Sequence, residues 1–347
     1  MLDVAAHFCA KVAYLNTATY GLAPRASTEA VHAIEADRAA GTMDISYLDE
    51  CVARSRTAFA RLVAVPAARV AVGSHVSQFV GLVAAALPDH ATVLVAEEDF
   101  TSLLFPFLHA QRRGVHVRSV PLEHLADAVD ARTDLVAVSA VQSADGRVAD
   151  LDRVCAAAAA VGARTLVDAT QAAGWLAMPT DRIDLLVAGG YKWLLGPRGT
   201  AFLTGSEEAL AGLPPLAAGW YAGDEPWQSI YGGPLRLAAD ARRFDLSPAW
   251  SLWVGQAPAL ELLADLGVPA VWEHNIALAN RFRAGLGLPD GDSAIVSIGV
   301  PDATGQDLAT NGVIASVRAG RLRCAFHIST TAGDVDRAVD LLRAGQP

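Results

Sequence analysis

The sequence predicts an α/β fold, with a large domain built on a mostly parallel sheet and a smaller α+β domain after it. Three observations carry this reading. Short β-rich runs alternate with Ala/Leu-rich stretches over the first two thirds of the chain, the pattern of βαβ units. One late run follows its predecessor after too few residues for a crossover. Beyond residue 245 the alternation stops and long helical stretches take over.

The first run, "RVAVG" at 69–73, leaves through a Gly/Ser/His turn into a helix. "TVLVA" at 92–96, "VHVRSV" at 115–120 and "DLVAVSA" at 134–140 follow, then the helical "LDRVCAAAAAVG", "TLVDA" at 165–169 and "DLLVAG" at 184–189. "TAFLTG" at 200–205 comes too soon for a parallel return and is expected to pair antiparallel, as the seventh strand. The helical stretch at 249–286 contains Pro258 and Pro269 and is expected to break. "SAIVSIGV", a short helix around 306–315, "RLRCAFHI" and the helix "DVDRAVDLLRAG" complete the chain. The expected division is a large domain over 15–245 and a small one over 246–347, with 1–14 packed nearby. No repeat of fixed period is present.

Composition narrows the function. The 347 residues are 52% hydrophobic and 18% charged, enough to bury a large core. A formal net charge of −10 offers no attraction to phosphate backbones, and no stretch interleaves Lys/Arg with aromatics, so nucleic acid is not an expected partner. The first residues lack a sustained apolar core with a cleavage site, and no apolar run reaches the ~18 residues of a membrane span. The expected compartment is the cytoplasm, with no membrane partner. Cys9, Cys51, Cys155 and Cys324 are scattered, with no C-x-x-C pair and no His at zinc spacing, which argues against a disulfide framework or a bound metal.

Ligands of open α/β sheets bind beyond the carboxyl ends of the strands, so the residues there matter most. "GSHVSQ" sets Ser74 and Ser77 at a helix N-terminus, where unsatisfied N–H groups and the dipole favour a phosphate; an ordinary Ser N-cap is the alternative. Asp168 closes an apolar strand and needs either a cationic partner or a capping role. Lys192 stands between Tyr191 and Trp193, where apolar surroundings disfavour its ammonium and suit an imine-forming amine; a snorkelling lysine is the alternative. Phosphate cradle, anion for a pyridinium and amine for a Schiff base are together the holds that pyridoxal 5′-phosphate (PLP) requires.

From "YLNTATYGLAPR" at 14–25 to "RCAFHISTTAGDVDRAV" at 323–339, the chain resembles the class V aminotransferase family of fold-type I PLP enzymes, the group of cysteine desulfurases, kynureninases and isopenicillin N epimerase. The resemblance implies that Lys192 in "GGYKWLLGPRG" carries the cofactor as a Schiff base, that Asp168 in "VDATQ" pairs with the ring nitrogen, and that Gln171 hydrogen-bonds the ring oxygen. It places Val76 and Ser77 on the phosphate, with Tyr191 reaching it as in kynureninases, and Phe100 stacked over the ring; a core aromatic is the alternative for Phe100. Arg323 matches the arginine that takes the substrate α-carboxylate, Arg318 is a second candidate, and Asn16 to Thr19 approach the same group. "AAGWYAGDEPWQSIYGGPLR" resembles a pocket-forming region, implying that Trp220, with Tyr221, Trp227 and Tyr231, shapes the site or the interface of a homodimer with shared active sites.

The departures bear on the reaction. "GVIASVRAGRLR" has no cysteine where desulfurases carry their nucleophile, and Cys324 beside Arg323 should point to the other face of its strand. The turn "GSHVS" differs from the family's Thr-rich phosphate loop, and Ser143 stands where many members have Asn. The expected activity is PLP-dependent chemistry at the α-carbon of an amino acid, with transamination first. A kynureninase-like or C–S β-lyase, an epimerase and a non-catalytic binding protein of the same fold are the alternatives.

Overall fold

A computed structural model describes residues 2, 4–301, 304–318 and 320–344. The chain opens with a two-residue strand β1 (Ala13–Tyr14) and helices α1 (Arg25–Ala40) and α2 (Ile45–Leu62). The alternating region follows: β2 (Val70–Gly73), α3 (Val76–Ala86), β3 (Thr92–Ala96), α4 (Thr101–Ala110), β4 (His116–Val120), β5 (Leu135–Ser139), α5 (Leu151–Val161), β6 (Arg164–Asp168), β7 (Leu185–Gly189), β8 (Ala201–Gly205) and α6 (Glu207–Ala211). These strands form one seven-stranded sheet in the order β2-β8-β7-β6-β5-β3-β4. Strands β3 to β7 run parallel, and β8 pairs antiparallel with both β7 and β2, as its short connection requires.

Strands β5 and β7 are buried along their whole length, which explains their unbroken apolar runs. On one face Val136, Val138, Val167 and Leu186 join a cluster with Phe59, Trp193 and Trp253; on the other, Leu135, Leu166, Leu185 and Val187 meet Phe79, Leu103 and Phe107 from α3 and α4. The edge strand β2 is closed by Asp245, whose Oδ1 accepts from Val72 N at 2.8 Å while Oδ2 pairs with Arg56 at 2.6 Å. Chain order reverses across β3, with β4 on one side and β5 on the other, which places a crevice at the carboxyl ends of the central strands.

The rest comprises α7 (Trp250–Leu266), α8 (Val268–Gly285), β9 (Ile295–Gly299), α9 (Thr304–Thr310), β10 (Val313–Ile314), β11 (Ser316–Arg318), β12 (Arg321–Ala325) and α10 (Ala332–Ala344). Strands β11, β12 and β9 form an antiparallel sheet, and β1 pairs with β10. The expected helix break falls at Gly267, at φ 80°, and not at Pro258, which lies within α7; Pro269 sits in the first turn of α8, where its missing N–H costs nothing. The helix expected around 306–315 stops at Thr310, because Gly312 turns the chain at φ 72° into β10. Among the described residues no helix is long and apolar enough to cross a membrane.

Candidate active site

The ends of β2, β3, β5, β6 and β7 meet around a cavity of ≈ 190 Å³ lined by Ser74 to Ser77, Phe100, Ser143, Asp168, Gln171, Tyr191, Lys192 and Arg198, among others. A larger hollow of ≈ 420 Å³, lined mainly by leucines and other apolar residues of β9, α9, α10 and the segment after α8, lies apart from this chemistry.

Lys192 follows β7 in a turn whose shape depends on two glycines. Gly190 N donates to Thr200 O, and Gly196 N to Gly190 O. A Cβ on Gly190 would stand 2.2 Å from both Gln256 Oε1 and Thr200 Oγ1, and one on Gly196 would stand 1.9 Å from Gln256 Oε1. Gln256, buried in α7, accepts from Thr200 Oγ1 at 2.7 Å and donates to Leu194 O at 3.1 Å, so it holds the turn from beneath. Lys192 itself is only 5% exposed, which disposes of the snorkelling alternative. Its Nζ lies 5.0 Å from the Phe100 ring centroid and 5.7 Å from that of Tyr191. Burial pulls its pKa down to about 8 against the attraction of Asp168, and the charges of Arg323, Arg318 and Arg198 add to the fall.

Asp168 ends β6 fully inside the protein. Its Oδ1 accepts from Thr170 N at 2.8 Å, a turn contact with no helix behind it, so it is not the N-cap of a helix. Burial raises its pKa despite that bond, and neighbouring Asp99 pushes the same way. A cationic ring nitrogen beside it would reverse the cost of its charge. Asp99 is saturated by Ser139 N, Ser139 Oγ and Phe100 N, a set that joins β3 to β5 and fixes Phe100. Phe100, preceding α4, is 43% exposed and faces the cavity, so it is not a core aromatic.

At the head of α3 neither serine caps the helix. His75 holds the N-cap position without a side-chain hydrogen bond, and Gln78 Oε1 accepts from Ser74 N at 3.3 Å. The first-turn N–H groups at Val76 and Ser77 have no side-chain acceptor among the described residues and border the cavity, an arrangement that fits a phosphate.

Gln171 departs from expectation. Its Nε2 donates to Ala18 O and Ser143 Oγ, both at 3.0 Å, and its Oε1 accepts from Trp193 Nε1 at 2.7 Å. It reaches a ring oxygen only by giving up Ser143. Arg323 is 2% exposed; it donates to Ser143 O and Oγ and, at 2.8 Å, to Thr19 Oγ1, while its Nε has no partner among the described residues. Burial and the charge of Arg318 lower its pKa to about 10. Arg318 is exposed and converges on the same Thr19 Oγ1 at 3.3 Å. Asn16 lies beside them through its bridge to Ala325, and its buried Oδ1 has no partner among the described residues.

Trp220 is not brought to this cavity. It packs with Tyr221, Trp227 and Trp250 over Asp49, whose carboxylate accepts from Tyr221 Oη, Trp227 Nε1 and Trp250 Nε1. None of the four cysteines lines the cavity; Cys324 points into the core with Leu278 and Phe326, and burial raises its pKa to about 12.

His327 and Gln256 escaped the sequence reading. His327, fully buried, has Nε2 2.9 Å from Trp193 O and Nδ1 3.2 Å from Asn275 Nδ2. A carbonyl can only accept, so Nε2 carries the proton and Nδ1 accepts; burial keeps the ring neutral, with a pKa of about 3. The only signal for it was its place four residues after Arg323.

The aminotransferase class-V family model matches residues 37–300. Isopenicillin N epimerase of Streptomyces clavuligerus is 29% identical over 78% of this chain and 74% of its own length. An uncharacterized aminotransferase, YcbU, of Bacillus subtilis (strain 168) is 28% identical over 72% of this chain and 67% of its own. The solved complex between the cystine C–S lyase C-DES and its reaction product cysteine persulfide superposes with a TM-score of 0.86 at 22% identity, over 97% of this chain and 99% of that one.

Proposed function

Because this chain belongs to the class-V aminotransferase family and has the fold-type I architecture, we propose that it is a PLP-dependent enzyme acting at the α-carbon of an amino acid, with amino transfer as its reaction. The observation that carries this reading is the meeting of a buried, unpaired Lys192 and a buried Asp168 in one cavity.

The residues present fit PLP. The open first turn of α3, with Val76 and Ser77, would hold the phosphate, Asp168 the ring nitrogen and Lys192 the aldehyde carbon; Phe100 would cover the ring and Tyr191 border it. When bound, PLP supplies an electron-withdrawing ring that stabilises negative charge at the substrate α-carbon. Asp168, charged in the presence of a cation, keeps the proton on the ring nitrogen. Arg323 is a buried guanidinium with no acidic partner among the described residues, so it suits the substrate α-carboxylate, with Arg318, Thr19 and Asn16 around it. Lys192, with a pKa of about 8, takes and returns the α-proton near neutral pH. The walls and the buried Gln171–Ser143–Arg323 chain keep the site geometry fixed.

Amino transfer is favoured because the cavity offers no cysteine to receive sulfur, while Lys192 can carry a proton away from the α-carbon. Epimerisation is the second reading, supported by the 29% identity to isopenicillin N epimerase over most of both chains. The protein is proposed to work as a homodimer.

Product analysis tests this. Purified protein with PLP is given a panel of amino acids in D₂O, with and without a 2-oxo acid acceptor. Amino transfer yields a new 2-oxo acid beyond one equivalent per PLP only with acceptor present. Deuterated substrate of inverted configuration would replace that reading with epimerisation, and acceptor-independent release of sulfide or ammonia would replace it with β-elimination. Lys192→Ala should lose all three and the visible absorbance of the PLP-loaded protein.

A further inference from the structure

Arg198 lines the same cavity but has no role in the reading above. It belongs to the connection from Lys192 to β8. The pairing of Gly73 with Ala201 sets that connection beyond the same end of the sheet as Ser74 and the first turn of α3. The backbone of Arg198 is tied down, its N–H donating to Tyr20 Oη at 3.0 Å. Its guanidinium carbon lies 5.2 Å from the Tyr191 ring centroid, a stacking that orients the planar fork and leaves its N–H groups free. Many other arginines here are paired, Arg54 with Glu261 and Arg281 with Asp336 among them, whereas no carboxylate pairs with Arg198 among the described residues.

We propose that Arg198 is an anion-binding residue that takes the phosphate of PLP, an inference that rests on the cofactor reading above. Two anionic groups have to be accommodated, and the structure separates the places for them. Arg323, Arg318 and Thr19 converge at one end, where a carboxylate fits. The α3 end holds N–H groups, the hydroxyls of Ser74 and Ser77 and the His75 imidazole, and no Lys or Arg in its own turn. A helix N-terminus contributes about half a unit charge, too little for a phosphate dianion. Arg198 supplies the missing full charge from the facing loop, with donors that match phosphate oxygens in pairs. Buried, unpaired Lys192 between the two ends is the independent sign that this cavity is built around a ligand.

The experiment compares two ligands that differ only in the phosphate. Apo protein is titrated with PLP and with pyridoxal, following visible absorbance, for the parent chain, Arg198→Gln and Arg198→Lys. Loss of a charge-assisted hydrogen-bonding pair predicts PLP affinity ~10–100-fold weaker in Arg198→Gln, with pyridoxal affinity unchanged and Arg198→Lys intermediate. Equal weakening of both ligands would overturn the proposal by showing that Arg198 acts only through Tyr191 and the loop. An unchanged PLP-to-pyridoxal ratio with a raised KM confined to substrates bearing a side-chain carboxylate would also overturn it, assigning Arg198 to the substrate. A parent chain that binds neither ligand would instead overturn the cofactor reading. Arg198 is exposed, so both variants should unfold like the parent in the apo state.

Discussion

Lys192 is held where its charge is unwelcome, and that has a consequence for stability. In the unfolded chain its ammonium persists to about 10.5, but in the folded protein burial lowers the pKa to about 8. Below pH 8 the folded state must carry a buried ammonium, at a cost of roughly 3 kcal/mol. Between about 8 and 10.5 the unfolded state binds the extra proton, so stability rises with pH as the penalty is relieved. Lys192→Met should therefore stabilise the apo protein at pH 7, and the gain should shrink toward pH 10. Denaturant unfolding of both chains at the two pH values measures it, and equal stabilities at pH 7 would refute the penalty. Lys192 and Asp168 were readable as unusual because each interrupts an apolar strand end. Arg198, His327 and Gln256 were not, since an arginine in a loop, a histidine just past a strand or a glutamine in a helix is ordinary until distant residues are packed against it. Gln171 shows the reverse limit: its position was legible, but its bonds to Ser143 and Trp193 depend on segments more than 20 residues away.

At the level of elements, the strands were legible because those of a parallel sheet are apolar on both faces, and the reversed β8 because the eleven residues between β7 and β8 are too few for a crossover. Helix limits were less so, since Pro258 is absorbed within α7 while Gly267 ends it. In the turn after β7, Gly190 and Gly196 are needed for space and not for positive φ. Gly190→Ala would drive a methyl into Gln256 Oε1 and Thr200 Oγ1. Such overpacking should cost about 1–3 kcal/mol and shift Lys192. Removing one obstacle in Gly190→Ala/Gln256→Ala should relieve the clash with Gln256 while leaving the one with Thr200 Oγ1 and leaving Leu194 O without its donor, so stability recovers only in part. Gly81→Ala is the control: it sits in α3 with nothing within 4 Å and should stabilise by roughly 0.5–1 kcal/mol. Thermal unfolding of the four chains separates the cases, and a harmless Gly190→Ala would show that Gln256 is not the constraint.

The whole molecule leaves a surface that asks for a partner. Leu216, Trp227, Tyr231 and Leu235 are exposed on one stretch of chain, at 66%, 53%, 87% and 81%. Large apolar side chains concentrated in this way mark an interface more often than a solvent-facing loop. The same stretch leads from Trp220 and Tyr221, anchored through Asp49 to α2, and ends near Arg242, just before the Asp245 contact that closes β2. A second copy docked there would press on the strand that delivers Ser74 and the head of α3, so association and cofactor binding should be linked. Sedimentation equilibrium should find a dimer for the parent chain. Tyr231→Glu combined with Leu235→Asp should shift it toward monomer and weaken PLP binding in proportion to the dimer lost, because ligand that binds only the dimer stabilises it by mass action. A parent chain that remains monomeric with full PLP affinity would sink both the interface and the linkage. A dimer unaffected by the double substitution would place the contact on another face.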